Sequence, residues 1–462
     1  MSLTPASHAL SMSRRRWLQA AASLPALGLL PRVAQAAGEY KALVCVFLYG
    51  GNDGLNSLVP TDSRYADYAG VRKGLALPLN ALLPLDGVPY GLHPSLAALK
   101  PLWDAGLMTS VANVGTLKRP FANRQDYVDA LAAKSPDIPY QLYSHSDQQR
   151  AWQGADGEAF SHSGWGGRAA ALLGSGQPVM ALGGNTHFGN AQTSQALALP
   201  GPGGGFQISG VQSPADAYQR ALSAGFQKLY AKADYGSDLS KAFVRMQLDA
   251  MSVSAELSPV VQPKPDALPA DDPLHVQFAG LARSDLAMQL FQVAKLIRHG
   301  RDKGANRQIF FVQSGGFDTH AGQLTRHAAL LQDLGTALAA FQAGITAMGL
   351  ADAVVSFTES DFGRTFVPNN NGGTDHAWGN LHFVLGGAVK GRAVFGTYPT
   401  LNPQGADDAG VQSWEHQGRW VPTTSVEQYA ATLLGWWGAT EAQQLTLLPQ
   451  LAHFPTRRLG FL

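Results

Sequence analysis

Twice in this chain an apolar run ends in paired glycines and then, within three residues, a carboxylate. Gln308-Ile309-Phe310-Phe311-Val312 leads into S-G-G-F-D-T-H, Ser314 to His320, and K-A-L-V-C-V-F-L-Y, Lys41 to Tyr49, leads into G-G-N-D-G-L-N-S, Gly50 to Ser57. Both runs have the length and the β-branched and aromatic content of buried strands. The glycines permit a sharp turn at the strand's carboxyl end. In open α/β sheets ligands bind at that edge. Asp318 and His320 can then place a carboxylate and an imidazole on one small ion. The competing reading is a polar turn with an aspartate cap, and for Asn52 to Ser57 an Asn/Asp/Gly β-turn.

The rest of the chain repeats the alternation of strand and helix. Met108 to Val114, Val179 to Leu182, Val354 to Phe357 and Leu381 to Leu385 read as further strands. Leu286, Leu290, Val293 and Ile297 lie on one helical face, as do Leu334, Leu338, Phe341, Ile345 and Met348. The expected fold is α/β, a mostly parallel sheet flanked by helices. Residues 214 to 257 read as two helices without motif chemistry. Ser258 to Pro273 holds five prolines and reads as an exposed linker, so a helical insertion is placed at about 206–273.

The first 36 residues read as a leader rather than as fold. Ser13-Arg14-Arg15-Arg16-Trp17-Leu18-Gln19 has the form of a twin-arginine export motif. An apolar stretch from Ala20 to Leu30 follows, and Ala34-Gln35-Ala36 offers a cleavage site. That stretch is short for a bilayer span, so no stable membrane anchor is expected after processing. The expected mature domain is 37–462, periplasmic or secreted. Losing four arginines and no acid takes the formal charge from +1 to −3. With no basic tract left, nucleic acid is excluded as a partner. Cys45 is the one cysteine, so no intramolecular disulfide can form. No G-x-G-x-x-G opens a helix after the first strand, which argues against a nucleotide-dependent oxidoreductase.

Asp53, Asp318, His320, Glu359, Asp361, Asp375 and His376 all fall at predicted strand ends. Mixed carboxylates and imidazoles suit zinc or manganese ahead of calcium. Their number exceeds what one ion needs, so two divalent ions are expected. Such a pair clamps both oxygens of an in-line displacement. Arg364 suits a tetrahedral anion, which guanidinium binds bidentately, or alternatively a surface ion pair. Thr116 is the nearest hydroxyl to where a nucleophile would stand, with Ser57 behind it. Ser144-His145-Ser146-Asp147-Gln148 is a dense polar cluster that lines a site or caps the following helix.

The order G-G-N-D-G, G-G-F-D-T-H, S-D-F-G-R-T and G-T-D-H resembles the secreted family catalogued as domain of unknown function 1501. G-R-W-V-P-T-T-S-V-E-Q-Y and S-H-S-D-Q-Q match it too. That family is similar to the alkaline phosphatase and sulfatase superfamily. The resemblance implies a first metal on Asp318, His320 and His376, and a second on Asp53 and Asp361 with Asn52 or Glu359 nearby. It departs in three places. Asp318 and His320 are two apart rather than four, Phe362 stands where a histidine ligand is usual, and Arg119-Pro120-Phe121-Ala122 stands where the nucleophile is usual. The expected function is an exported metal-dependent hydrolase of small phosphate or sulfate esters. The alternative is a non-catalytic, metal-stabilised envelope protein that binds or assembles with a protein partner.

Overall fold

The computed structural model describes residues 39–462 apart from 159, 174–176, 193, 208–210, 213–215 and 232–235. The leader expected at 1–36 lies outside the described residues. Nine strands form one sheet: β1 (Lys41–Leu48), β2 (Met108–Gly115), β3 (Met180–Leu182), β4 (Leu197–Leu199), β5 (Arg307–Ser314), β6 (Val354–Ser360), β7 (Asn380–Leu385), β8 (Val394–Gly396) and β9 (Thr424–Ser425). Their order is β8-β2-β7-β6-β1-β5-β3-β4, with β9 also paired to β2. Every pairing is parallel except those of β7, which runs antiparallel to β2 and β6. The α/β fold with a mostly parallel sheet is therefore as the sequence implies.

β1 is the centre of this arrangement. It pairs with β5 from Lys41↔Arg307 to Leu48↔Ser314 and with β6 from Ala42↔Val354 to Leu48↔Ser360. Three carboxyl ends thus finish level: Gly50 onward, Gly315 onward and Asp361 onward leave the sheet side by side. From Ala42 to Leu48 the strand is buried on both faces, which is why it reads as a continuous apolar run.

Four helices matter for the site and its support: α1 (His145–Gly154), α2 (Asp285–Asp302), α3 (Gln323–Ala347) and α4 (Val426–Trp437). α3 buries Leu331, Leu334, Leu338, Phe341 and Ile345 along one stripe, each contributing about 1.5–3 kcal/mol by removal from water. α2 likewise buries Leu286, Leu290, Val293 and Ile297. Much of the proline-rich stretch is exposed, as its composition suggests, but it is anchored at points. Val261 and Pro265 are buried. Buried Lys295 of α2 donates to the carbonyls of Val261 at 3.2 Å and Pro263 at 2.6 Å. Prolines lack an N–H but keep a strong acceptor, and this segment is fastened through those acceptors.

The chain divides into two compact units: residues 205–259, taken among the described residues, and residues 37–204 with 260–462. The smaller contains helices Ala217–Tyr230 and Asp238–Val261, the latter running across its boundary. The larger contains the sheet and everything described next. Among the described residues no helix is long and apolar enough to cross a membrane.

Candidate metal centre

At the carboxyl edge one oxygen gathers three imidazoles. Asp318 Oδ1 lies 3.0 Å from His320 Nε2, 3.3 Å from His376 Nε2 and 3.5 Å from His145 Nε2. His320 Nε2 and His376 Nε2 are themselves 3.0 Å apart. Four donors around one zinc at ordinary bond lengths stand about 3.3 Å from each other. Among the described residues, His145, Asp318 and His376 form the group of histidine, cysteine and carboxylate side chains whose ligand atoms are close enough to share an ion. His320 is outside that group, although its Nε2 lies 3.0 Å from both Asp318 Oδ1 and His376 Nε2.

The other nitrogen of each ring decides what Nε2 can do. His145 Nδ1 faces Asp361 Oδ2 at 2.6 Å, His320 Nδ1 faces Asp375 Oδ1 at 2.8 Å, and His376 Nδ1 faces the Tyr143 carbonyl at 2.7 Å. A carbonyl or an ionised carboxylate only accepts, so each Nδ1 must carry the hydrogen. In the neutral rings Nε2 is then a bare lone pair. Lone pairs of His320 and His376 meeting at 3.0 Å repel unless a metal ion stands between them or one ring is protonated. This tautomer-fixing contact is the usual outer support of a metal-bound histidine.

The surroundings tune the donors. Burial would raise Asp318, but the Arg364 guanidinium, 2.7 Å from Oδ1, together with His320 and His145, holds it below the usual carboxylate range. Burial would also raise Asp375, which hydrogen bonds from Asn369 and His320 pull down. The hydrogen bond to Asp361 raises His145 against the effect of burial. Burial lowers His376, favouring its neutral form. Asp361 is fully buried; its Oδ2 takes donors from His145, Gln149 at 3.0 Å and the Gly50 amide at 3.2 Å. Its Oδ1 is buried with no partner, an acceptor whose burial is costly unless a positive group is near. The Phe362 ring lies 4.9 Å from His145 and 4.6 Å from His376, centre to centre. The position where a histidine was expected is an apolar floor for two others. Side-chain exposures of 43% for Asp318 and His320 and 23% for His376 leave the group open to solvent on one side.

The second set expected from the sequence is not assembled. Asp53 is 1% exposed; Oδ1 pairs with Arg72 and Oδ2 accepts from Gln323. A buried guanidinium already supplies the positive charge an ion would bring. Asn52 Oδ1 meets His327 Nε2 at 2.8 Å. Glu359 points into the main apolar core beside Cys45, where burial pushes it up to about 8. Asp361 supports His145 instead of meeting Asp53. Among the described residues no second group of three close ligand atoms is found.

The proposed catalytic side chains are also engaged. Arg364 donates to Asp318, to the Gly50 carbonyl at 3.2 Å, and to the Thr374 hydroxyl and carbonyl. With its side chain fully buried, it turns no donor toward a substrate anion. Ser57 donates to the Asp53 carbonyl at 3.0 Å. Thr116 donates to Gln148 Oε1 at 2.7 Å. Thr116→Val is accordingly expected to cost about 1–3 kcal/mol by orphaning a buried acceptor, with metal content unchanged; denaturant melts and elemental analysis check both.

The residue missed by sequence reasoning is His145. It stands at the first position of α1, directly after Ser144. The dense polar run around it was the available signal, but nothing local says which strand end that helix start faces.

A model of one protein family matches residues 127–413, which is more than half of the chain and includes His145, Asp318, His320, Asp361 and His376. The chain belongs to the family described as "Protein of unknown function (DUF1501)". Asp53 lies outside the matched stretch of this DUF1501 member. A search of curated proteins finds no match. Among solved structures, the chain is similar to the lipoteichoic acid synthase LtaP from Listeria monocytogenes, at 8% identity and a TM-score of 0.37, over 93% of this chain and 80% of that one. A protein in the alkaline phosphatase superfamily from Vibrio parahaemolyticus matches at 13% identity and 0.29, over 85% and 73%. The PsFucS1 sulfatase from Pseudoalteromonas sp. matches at 9% and 0.32, over 97% and 74%. Likenesses this loose leave the chemistry to be argued from the site.

Proposed function

We propose that this chain binds one divalent metal ion, zinc before manganese or calcium, and uses it to hydrolyse small phosphate or sulfate esters. The supporting observation is three imidazoles, each with Nδ1 held by an acceptor, turning Nε2 toward one oxygen of Asp318. Three nitrogens and one oxygen suit zinc better than an oxygen-seeking ion. The orphaned Oδ1 of Asp361 fits a positive charge nearby. A bound ion at such a site supplies Lewis acidity to an ester oxygen and acidifies water. The protein's part is to hold the donors in register, keep Nδ1 protonated on all three rings, and leave the solvent side open for an anion. One ion, rather than the expected pair, uses the donors that come together.

The twin-arginine motif at 13–19 supports export through that route to the periplasm or beyond, with the metal loaded before transit. A second reading, a non-catalytic, metal-stabilised envelope protein, is favoured by one observation: Thr116, Ser57 and Arg364 are all tied into hydrogen bonds.

Elemental analysis of the purified mature chain tests the metal. About one ion per chain is expected, and a folded, metal-free protein after zinc dialysis refutes the reading. Turnover of aryl phosphates and sulfates by the loaded protein then separates the two functions. Hydrolysis lost on chelation supports the enzyme; full metal occupancy without turnover supports the second reading.

A further inference from the structure

Asp53 has no part in the centre as described, yet the structure ties it to both ligand loops through one side chain. Gln323, the first residue of α3, is completely buried. Its Nε2 donates to Asp53 Oδ2 at 2.5 Å, while Arg72 holds Oδ1 of the same carboxylate. Its Oε1 accepts from two hydroxyls, Thr319 Oγ1 at 3.1 Å and Thr374 Oγ1 at 2.5 Å. Thr319 stands between Asp318 and His320, and Thr374 stands two residues before His376. The loops are joined again where the Thr374 amide donates to the Thr319 carbonyl at 3.1 Å. Thr374 Oγ1 also receives Arg364 Nε, whose other arm holds Asp318.

The orientation of that amide follows from the carboxylate. Turned over, Gln323 would set an oxygen against the acceptor-only carboxylate of Asp53 and take from the two hydroxyls the oxygen they donate to. Gln323, Asp53, Thr319, Thr374 and Arg72 are all buried, so a wrong arrangement is expensive, although Arg72 Nε and Nη1 have no partner among the described residues. The contacts are charge-assisted at the Asp53 end and neutral at the threonine end, which makes Asp53 the anchor and Gln323 the staple.

We propose that Gln323, oriented by the Arg72–Asp53 pair, is a positioning residue that sets the D-T-H and T-D-H loops at the separation an ion requires. Asp53 then serves the centre at one remove and not as a ligand. This rests on the metal reading above. The test compares zinc affinity, by competition with a chromophoric chelator, and the visible spectrum of cobalt-loaded protein. Gln323→Met keeps the bulk and removes both hydrogen-bonding ends. Thr374→Val removes one hydroxyl, and Thr374→Ser restores it. Zinc affinity is expected to fall about 10–100-fold in Gln323→Met and Thr374→Val, the range for outer-shell partners, and to return in Thr374→Ser. Asp53→Asn is expected to weaken zinc similarly while leaving the cobalt bands in place, because no ligand has changed. Wild-type affinity in Gln323→Met overturns the proposal, as does a cobalt spectrum altered by Asp53→Asn. If Asp53→Asn fails to fold, the glutamine and threonine variants decide alone. A wild-type chain that binds neither zinc nor cobalt instead refutes the metal reading itself, so the two failures are distinct.

Discussion

His376→Ala and His145→Ala are each expected to strip the ion from the purified protein. Both rings aim Nε2 at Asp318 Oδ1 and have Nδ1 committed elsewhere, so each loss removes one oriented donor from the group. Removing a direct donor should exceed the 10–100-fold cost of disturbing an outer-shell partner. The expected result is less than about a tenth of an ion per chain after dialysis against micromolar free zinc, with hydrolysis lost in parallel. His145→Ala is the sharper of the two, because that residue was joined to the site by geometry alone. Occupancy at the wild-type level in His145→Ala would remove it from the centre and leave Asp318, His320 and His376 as the set.

Glu359→Gln is expected to stabilise the protein at alkaline pH and to do little at pH 5. Burial raises the folded-state pKa of Glu359 to about 8 from its ordinary value of 4.5. A raised carboxyl is protonated in the folded chain and ionised in the unfolded one between those values. Its contribution to stability is therefore complete below about pH 4.5 and is lost as pH climbs through 8. The loss is on the order of 5 kcal/mol from one group. Glutamine has nearly the same shape and does not titrate, so thermal midpoints of the variant should fall less between pH 5 and 9. A residual slope is expected from Glu427, which burial raises to about 7. Parallel melting profiles for wild type and Glu359→Gln would show that Glu359 is already ionised within the core.

What could be read from the sequence follows from how local each signal is. β1, β5 and β6 are buried on both faces, so their apolar runs name them without knowledge of their neighbours. The stripes of α2 and α3 are equally local. Asp318 and His320 lie just past the end of β5, whereas His376 reaches them from the long loop between β6 and β7. Glu359 and Asp361 show how close the same argument comes to failing. Glu359 is still within β6, where alternation turns it into the core, while Asp361 is the first residue beyond it. A period of two puts both on one face of V-V-S-F-T-E-S-D, so what separates them is the end of the strand at Ser360. Asp53 could not be resolved this way. Its partners Arg72 and Gln323 belong to helices that look, in sequence, like any others, and only the topology brings a guanidinium and an amide to its two oxygens. His145 is the same case in reverse, a histidine whose meaning depends on where α1 begins relative to β6.

Cys45 sits midway along β1, between Phe311 of β5 and Phe357 of β6, with no exposed surface. Burial first, and then the neighbouring Glu359, push its thiol well above the ordinary range, so an alkylating reagent finds no thiolate while the sheet is closed. As the sole sulfhydryl of the chain, it labels only when those three strands part. The rate at which that one atom is modified, with and without zinc, thus clocks how often the middle of the molecule breathes.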